Sequence, residues 1–358
     1  MKAGGIGLRY NPALDGLRGV AIALVILSHA HVPLFDGAFF GVDVFFVLSG
    51  FLITSLLLIE LQTEGRLDYW RFYRRRLLRL MPALLLFLAV YVAVAPLLWP
   101  GAHDALTDAL VSALYLADYG IAFFDQPASL LHMWSLSVEE HFYLIWPPLL
   151  ALGVARFKRG QLWRAIAVLW LLATAWRVLC VAWDQPFYQV FFRFDTRATG
   201  LLAGALLAAL LHEQPDFIAR ARRHLPSALW LPLAVPVLMG LGWDSSDALS
   251  WGMPAVEGAA VVLLVAVQRQ RGLIWRMLSA PALVKLGQLS YGVYLWHYPV
   301  VRWLRAELPW PWVVLLGGAI SLALAALSYY TIERWALRWR DRAPASARPR
   351  PTVSVPAH

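Results

Sequence analysis

Apolar residues run through this chain in blocks of about twenty, broken by short polar stretches. A helix needs about 20 consecutive apolar residues to cross ~30 Å of hydrocarbon. Blocks near that length fall at 14–32, 41–60, 80–99, 134–154, 163–183, 195–212, 227–243, 250–267, 286–305 and 312–333, which predicts an all-α integral membrane protein of about ten spans. The breaks alternate in charge. The segment 61–79 holds Arg66, Arg71, Arg74, Arg75, Arg76 and Arg79, and the breaks near 155–164, 213–226 and 268–285 and the tail after Glu333 are likewise basic. The intervening segments 33–40, 100–133, 244–249 and 306–311 contain no Lys or Arg, and 184–194 carries only Arg193 beside Asp184. Basic loops stay on the cytoplasmic side, so both termini are expected there. A crossing at 105–124 would put every later basic loop outside, so that stretch is read as an outer-surface or re-entrant element.

Composition agrees with the pattern. The chain is 60% hydrophobic and 15% charged, with a mean hydropathy of +0.60. A soluble domain is about half apolar and a quarter charged. The net charge of +9 would suggest nucleic acid in a soluble protein, but here it is carried by the loops of one side, and no nucleic-acid partner is implied. The 18 Trp suit membrane interfaces, and the single Cys180 excludes an internal disulfide. The first thirty residues have some features of a secretory signal, yet they contain Arg18 and His29, and an uncleaved first span is the reading adopted. Residues 1–340 then form one transmembrane domain, and 341–358, rich in Pro, Ala and Arg, are expected to be a disordered cytoplasmic tail.

Ionisable residues inside spans are costly and usually functional. The first span, NPALDGLRGVAIALVILSHAH, carries Arg18 near its start and His29 near its end. Eleven residues make a rise of roughly 16 Å and three turns plus about 20°, so both project from one face. Asp43 begins the second span, and Glu139, Glu140 and His141 head the fourth. Arg177 lies in the fifth, Asp195 and Arg197 begin the sixth, Glu257 lies in the eighth, and His297 lies in the ninth with Pro299 and Arg302. In the expected topology these cluster in the outer half of the membrane, which predicts a water-accessible cavity opening outward. The alternative for any one of them is a structural salt bridge within the bundle. No metal-ligand cluster is visible in the sequence.

Four stretches carry a specific resemblance: LDGLRGVAIALVILSHA, FFGVDVFFVLSGFLIT at 39–54, FYRRRLLRLMPA at 72–83, and WSLSVEEHFYLIWP at 134–147. A fifth, LSYGVYLWHYPV at 289–300, is weaker. Together and in this order they resemble the acyltransferase-3 family of bacterial multipass membrane O-acyltransferases, over nearly the whole chain. His141 stands where the family more often has Gln. The resemblance is to the stand-alone form, without a fused hydrolase-like domain. It implies a protein of the bacterial inner membrane, moving an acyl group, often acetyl, from cytoplasmic acyl-coenzyme A to a hydroxyl of an extracytoplasmic or lipid-linked glycan such as surface polysaccharide, O-antigen or exopolysaccharide. Acyl-coenzyme A is then a donor substrate rather than a bound cofactor, and the other partners are the glycan acceptor and membrane lipid.

The chemistry fits these residues. A hydroxyl must lose its proton as it attacks a thioester, and His suits that task near neutral pH; the family carries the base role onto His29. An acyl-His intermediate is an alternative left open. Arg18, Arg75, Arg76 and Arg79 are candidates for the coenzyme A phosphates, since guanidinium binds phosphate by charge and paired hydrogen bonds; taken alone, the Arg run reads first as a topology signal. One of Glu139 and Glu140, Glu139 being favoured, is expected to orient the His29 imidazole, as in triad logic, and the other to pair with Arg177 or Arg197. Ser135 and Ser137 are read as helix caps. Asp43, Glu140, Arg177, Arg197 and His297 are secondary site candidates. The rival reading is a transporter or exporter of a polar or glycan substrate whose path these charges line.

Overall fold

Helix α1 (Pro12–His29) starts where the local chemistry dictates: the Asn11 side chain accepts from the Ala13 amide at 3.2 Å, and Pro12 occupies the first turn. The computed structural model of the chain describes residues 10–98, 104–158, 160–216, 240–268 and 270–341, and these contain helices and turns without strands. A 3-10 turn (Asp36–Phe40) leads into α2 (Gly41–Glu64), which ends on Gly65 in the left-handed region at φ +71°. Helix α3 runs from Tyr69 to Leu98, starting eleven residues before the expected span. Arg71, Arg74, Arg75, Arg76 and Arg79 therefore lie in the first turns of that helix, and only 65–68, with Arg66, form a loop. Two short helices follow, α4 (Ala105–Ala113) and α5 (Ala117–Phe124), each too short to cross a bilayer. Then come α6 (Met133–Arg156), α7 (Leu162–Ala182), α8 (Phe187–Phe192), α9 (Phe194–Arg197) and α10 (Thr199–Glu213). A π turn at Ala248–Gly252 opens α11 (Met253–Val267), followed by α12 (Leu273–Leu278), α13 (Pro281–Gln288), α14 (Ser290–Arg305) and α15 (Trp310–Ser328). A second π turn, Tyr329–Glu333, joins α15 to α16 (Arg334–Asp341).

The expected count of ten spans is not reached among the described residues. Six helical stretches are long and apolar enough to cross: Pro12–His29, Asp36–Glu64, Tyr69–Leu98, Leu162–Ala182, Ala248–Val267 and Trp310–Trp339. The predicted span 134–154 is one helix of sufficient length, α6, but it carries Glu139, Glu140 and His141. The block 195–212 is divided between α9 and α10, and 286–305 between α13 and α14. Hydropathy averages over such breaks, because a buried helix end is as apolar as its interior. The predicted span 227–243 lies almost wholly outside the described residues, as do 342–358 of the expected tail.

Close backbone approach fixes two of the contacts that frame the site. Helix α2 packs along α10 with Gly50 against the Leu201 carbonyl and Gly204 against the Val47 carbonyl, where an added Cβ would collide with backbone. Between membrane helices such small residues replace the hydrophobic drive that water would supply. Gly204→Leu is accordingly expected to destabilise the protein by at least about 1–3 kcal/mol, the usual range for overpacking. A thermal unfolding midpoint in detergent equal to wild type would contradict this. On the other side, Gly16 of α1 meets the Leu278 backbone and Gly287 of α13 meets the Asp15 backbone of α1, seating α1 on α12 and α13.

The segment before α6 is tied down by Asp108. Its buried carboxylate accepts from the Tyr91 hydroxyl at 2.8 Å and from the Ala128 and Ser129 amides at 2.7 and 3.0 Å. One carboxylate thereby joins α3, α4 and the loop that delivers His132 and Trp134 to the interior.

Candidate active site

The C-terminal end of α1 is gathered by α14. Arg305 donates to the His29 carbonyl at 2.8 Å and to Nε2 of His31 at 2.6 Å. His31 sits at φ +52°, so the chain turns sharply as the helix ends. Burial and the Arg305 guanidinium hold its imidazole below the ordinary range. The His29 ring lies 5.0 Å from His297 and 5.0 Å, edge-on, from Tyr298. Its Nδ1 stands 2.9 Å from the Val25 carbonyl oxygen and 3.2 Å from Nε2 of His297. His132 stacks on Tyr298 at 4.8 Å and meets His297 edge-on at 5.6 Å. Among the described residues no group of three His, Cys, Asp or Glu converges to hold a metal ion.

This cluster forms one wall of a cavity of about 590 Å³. Its lining includes His29, His132, Trp134, Tyr294 and Tyr298, together with Phe35, Asp36, Tyr188, Trp243, Asp244 and Arg305. A second pocket, about 50 Å³, is lined by Arg18, Phe46, Ser135, Glu139 and Tyr291. The two share Val42 and Tyr294 as walls. Arg18 and His29 therefore reach adjoining spaces along α1, as their spacing requires. Tyr294 is held at the junction by its hydroxyl, 2.5 Å from Ser135 Oγ and 2.8 Å from the His132 carbonyl.

Glu139 is not placed against His29. Its carboxylate accepts from Ser49 at 2.8 Å and Tyr143 at 3.4 Å, and the charges nearest it are Arg76 and Arg18. The reason is register: α6 starts at Met133, so Glu139 lies ~9 Å along its axis, toward the depth of Arg18. Glu140 pairs with Arg76 at 3.5 Å, not with Arg177 or Arg197, and the Arg76 guanidinium covers the Tyr143 ring at 3.4 Å. Arg75 and Arg79 are exposed on α3, and Arg79 lies within electrostatic reach of Glu333. Ser135 and Ser137 fall inside α6 rather than capping it; Ser137 accepts from the Ala117 amide at 3.1 Å.

The remaining candidates form a buried set behind the cavity wall. Arg197 pairs with Asp43 at 3.0 Å, both 1% exposed. Arg177 lies 3.7 Å from Glu257, with Thr199 bridging them by hydrogen bonds of 2.5 and 2.6 Å. Two guanidinium groups and two carboxylates thus balance, as ions removed from water must. None of the four lines either of these two pockets; they pair with one another, the alternative expected of charges inside the bundle. Arg197 still acts on the larger cavity indirectly, since Trp134 and Phe191 of the cavity wall rest 4.9 Å from its guanidinium. His132, Tyr294 and Tyr298 were not singled out by sequence. Two of them stand in the LSYGVYLWHYPV stretch, and His132 lies two residues before WSLSVEEHFYLIWP, which was the available signal.

Residues 11–330 match a family model described as an acyltransferase domain, acyltransferase-3. The chain is 34% identical over 347 residues to YrhL of Bacillus subtilis (strain 168), covering 91% of this chain and 55% of that protein. It is 31% identical over 345 residues to the peptidoglycan O-acetyltransferase OatA of Listeria monocytogenes, with 91% and 55% covered. To the O-acetyltransferase OatA of Staphylococcus aureus (strain NCTC 8325 / PS 47) it is 29% identical over 348 residues, with 91% and 57% covered. The chain thus spans little more than half the length of these relatives. No solved structure matches it.

Proposed function

Because the chain belongs to the acyltransferase-3 family, we propose that it is a membrane O-acetyltransferase that esterifies a hydroxyl of a cell-envelope glycan with the acetyl group of acetyl-coenzyme A. The observation that supports this most is the pair of pockets meeting at Val42 and Tyr294, with His29 in the wall of one and Arg18 in the wall of the other. In this reading the acceptor hydroxyl enters the larger cavity and the thioester reaches the junction. The hydroxyl oxygen attacks the thioester carbon while His29 takes its proton. The C–S bond then breaks, and the thiolate leaves with the proton from His29, so the base is restored.

The donor end is assigned to Arg18, Arg75, Arg76 and Arg79. Exposed Arg75 and Arg79 suit the phosphates of a ligand arriving from water. Arg76 is engaged by Glu140, so a phosphate must share it. The basic loops favour the cytoplasm for this end and the opposite face for the His29 cavity. The relatives' names make peptidoglycan the first acceptor to test, ahead of O-antigen or exopolysaccharide, which the sequence motifs alone did not rank.

The test is mass spectrometry of peptidoglycan, surface polysaccharide and glycolipid from cells with the gene, without it, and with it restored, fed isotopically labelled acetate. Labelled ester present with the gene, lost without it and regained on restoration is the expected result, and the fraction carrying it names the acceptor. Unchanged ester content in all fractions on deletion would overturn the reading.

A further inference from the structure

We propose that His297 is a positioning residue for His29: it accepts a hydrogen bond from Nδ1–H of His29 and so leaves the lone pair of the neutral ring on Nε2. This rests on the reading of His29 as the base. The assignment follows from what each partner can do. A carbonyl oxygen only accepts, and neutral imidazole has one donor and one acceptor nitrogen. Nδ1 of His297 lies 2.6 Å from the Tyr294 carbonyl, so it carries the proton and Nε2 carries the lone pair. That lone pair faces Nδ1 of His29 at 3.2 Å. Nδ1 of His29 also lies 2.9 Å from the Val25 carbonyl. Two acceptors converge on it, so the proton of neutral His29 belongs there, shared between them. Nε2 is then the basic nitrogen of a ring that lines the cavity.

The same contact acts during transfer. When Nε2 takes the acceptor's proton, the ring becomes an imidazolium whose Nδ1–H already points at two acceptors, and hydrogen bonds to a charged donor are the stronger kind. Orienting the imidazole and stabilising its charged form are the tasks a carboxylate performs in a serine-protease triad. Here, among the described residues, no carboxylate is a hydrogen-bond partner of His29, and Glu139 serves the Arg18 side instead. Among the described residues, the titratable and charged groups around the His29 ring are His297, Tyr298 and Arg305 from α14, His31 from the turn after α1, and His132 from the segment before α6. His297 is fully buried and braced by the His132 and Tyr294 rings at 5.6 and 5.2 Å. Its Nε2 is therefore held in one place before substrate arrives.

The test compares wild type, His29→Ala, His297→Phe and His297→Gln in purified, reconstituted full-length protein, with acetyl-coenzyme A and isolated envelope glycan. Phe keeps a ring but removes the acceptor, whereas the Gln side-chain oxygen can accept near the position of Nε2. His297→Phe is expected to lower kcat about 10- to 100-fold, as lost outer partners of a site ligand do, with KM for both substrates little changed. The acidic limb of its pH–rate profile is expected to move to lower pH. His297→Gln is expected to recover most of the rate and the wild-type limb. Equal losses for Phe and Gln with an unmoved limb would overturn the proposal and mark a packing role, and so would His297→Phe at the wild-type rate. Activity retained in His29→Ala would instead overturn the base assignment itself, which separates the two failures.

Discussion

His29→Ala is expected to reduce acetyl transfer by about 10²–10⁴-fold at equal membrane abundance, the usual contribution of a positioned general base. Alanine leaves the cavity open and α1 intact, because the helix end is secured through the His29 backbone carbonyl, which Arg305 still reaches. Substrate KM values should therefore change little, the pattern of an interaction made in the transition state alone. His29→Gln is the sharper comparison, since it restores a polar side chain of similar reach without a basic nitrogen. It should remain as impaired as alanine. The measurement is initial rate with reconstituted protein, checked by envelope ester content in cells. A Gln variant within tenfold of wild type would remove proton abstraction from the role of His29.

Arg197→Met is expected to destabilise the folded protein by about 3–5 kcal/mol, the cost of leaving one member of a buried ion pair alone. Asp43 would then lie 1% exposed without its guanidinium partner. Trp134 and Phe191 would also lose the cation against which they rest, so the cavity wall should loosen as stability falls. The double variant Asp43→Leu with Arg197→Met should recover much of the loss, because two apolar side chains in place of a buried pair are often tolerated. Thermal unfolding of the three proteins in one detergent decides this. Equal stability of the single variant and wild type would show that the pair contributes nothing, and a double variant no better than the single would place the loss in Arg197's other contacts.

Much of the site's layout follows from local rules. Asn11 and Pro12 start α1, and 3.6 residues per turn put Arg18 and His29 on one face, so one helix reaches both pockets. The apolar blocks located most of the long helices to within a few residues, because burying backbone in hydrocarbon leaves helix as the only local solution. They failed at α3, whose charged first turns look like a loop, and at α9, α10, α13 and α14, where apolar sequence runs across helix breaks.

What periodicity could not supply was the identity of partners across helices. A carboxylate at a helix head can meet any cation at its depth, and which one it meets depends on which helices are neighbours and on their rotation. Thus Asp43 found Arg197, Glu257 found Arg177, and Glu140 found Arg76, while Glu139 turned to Ser49. The partner of His29 was likewise decided only in space: His297 is 268 residues away in the chain and 3.2 Å away in the fold. By itself the sequence determined a helical membrane chain with a cation and an imidazole aligned on one helix. The tertiary structure decided what surrounds that imidazole and which charges are spent balancing one another. The physical reason is that helix formation is satisfied within a few residues of backbone, whereas a buried charge or ring nitrogen is satisfied only by whatever group packing brings within 3–4 Å.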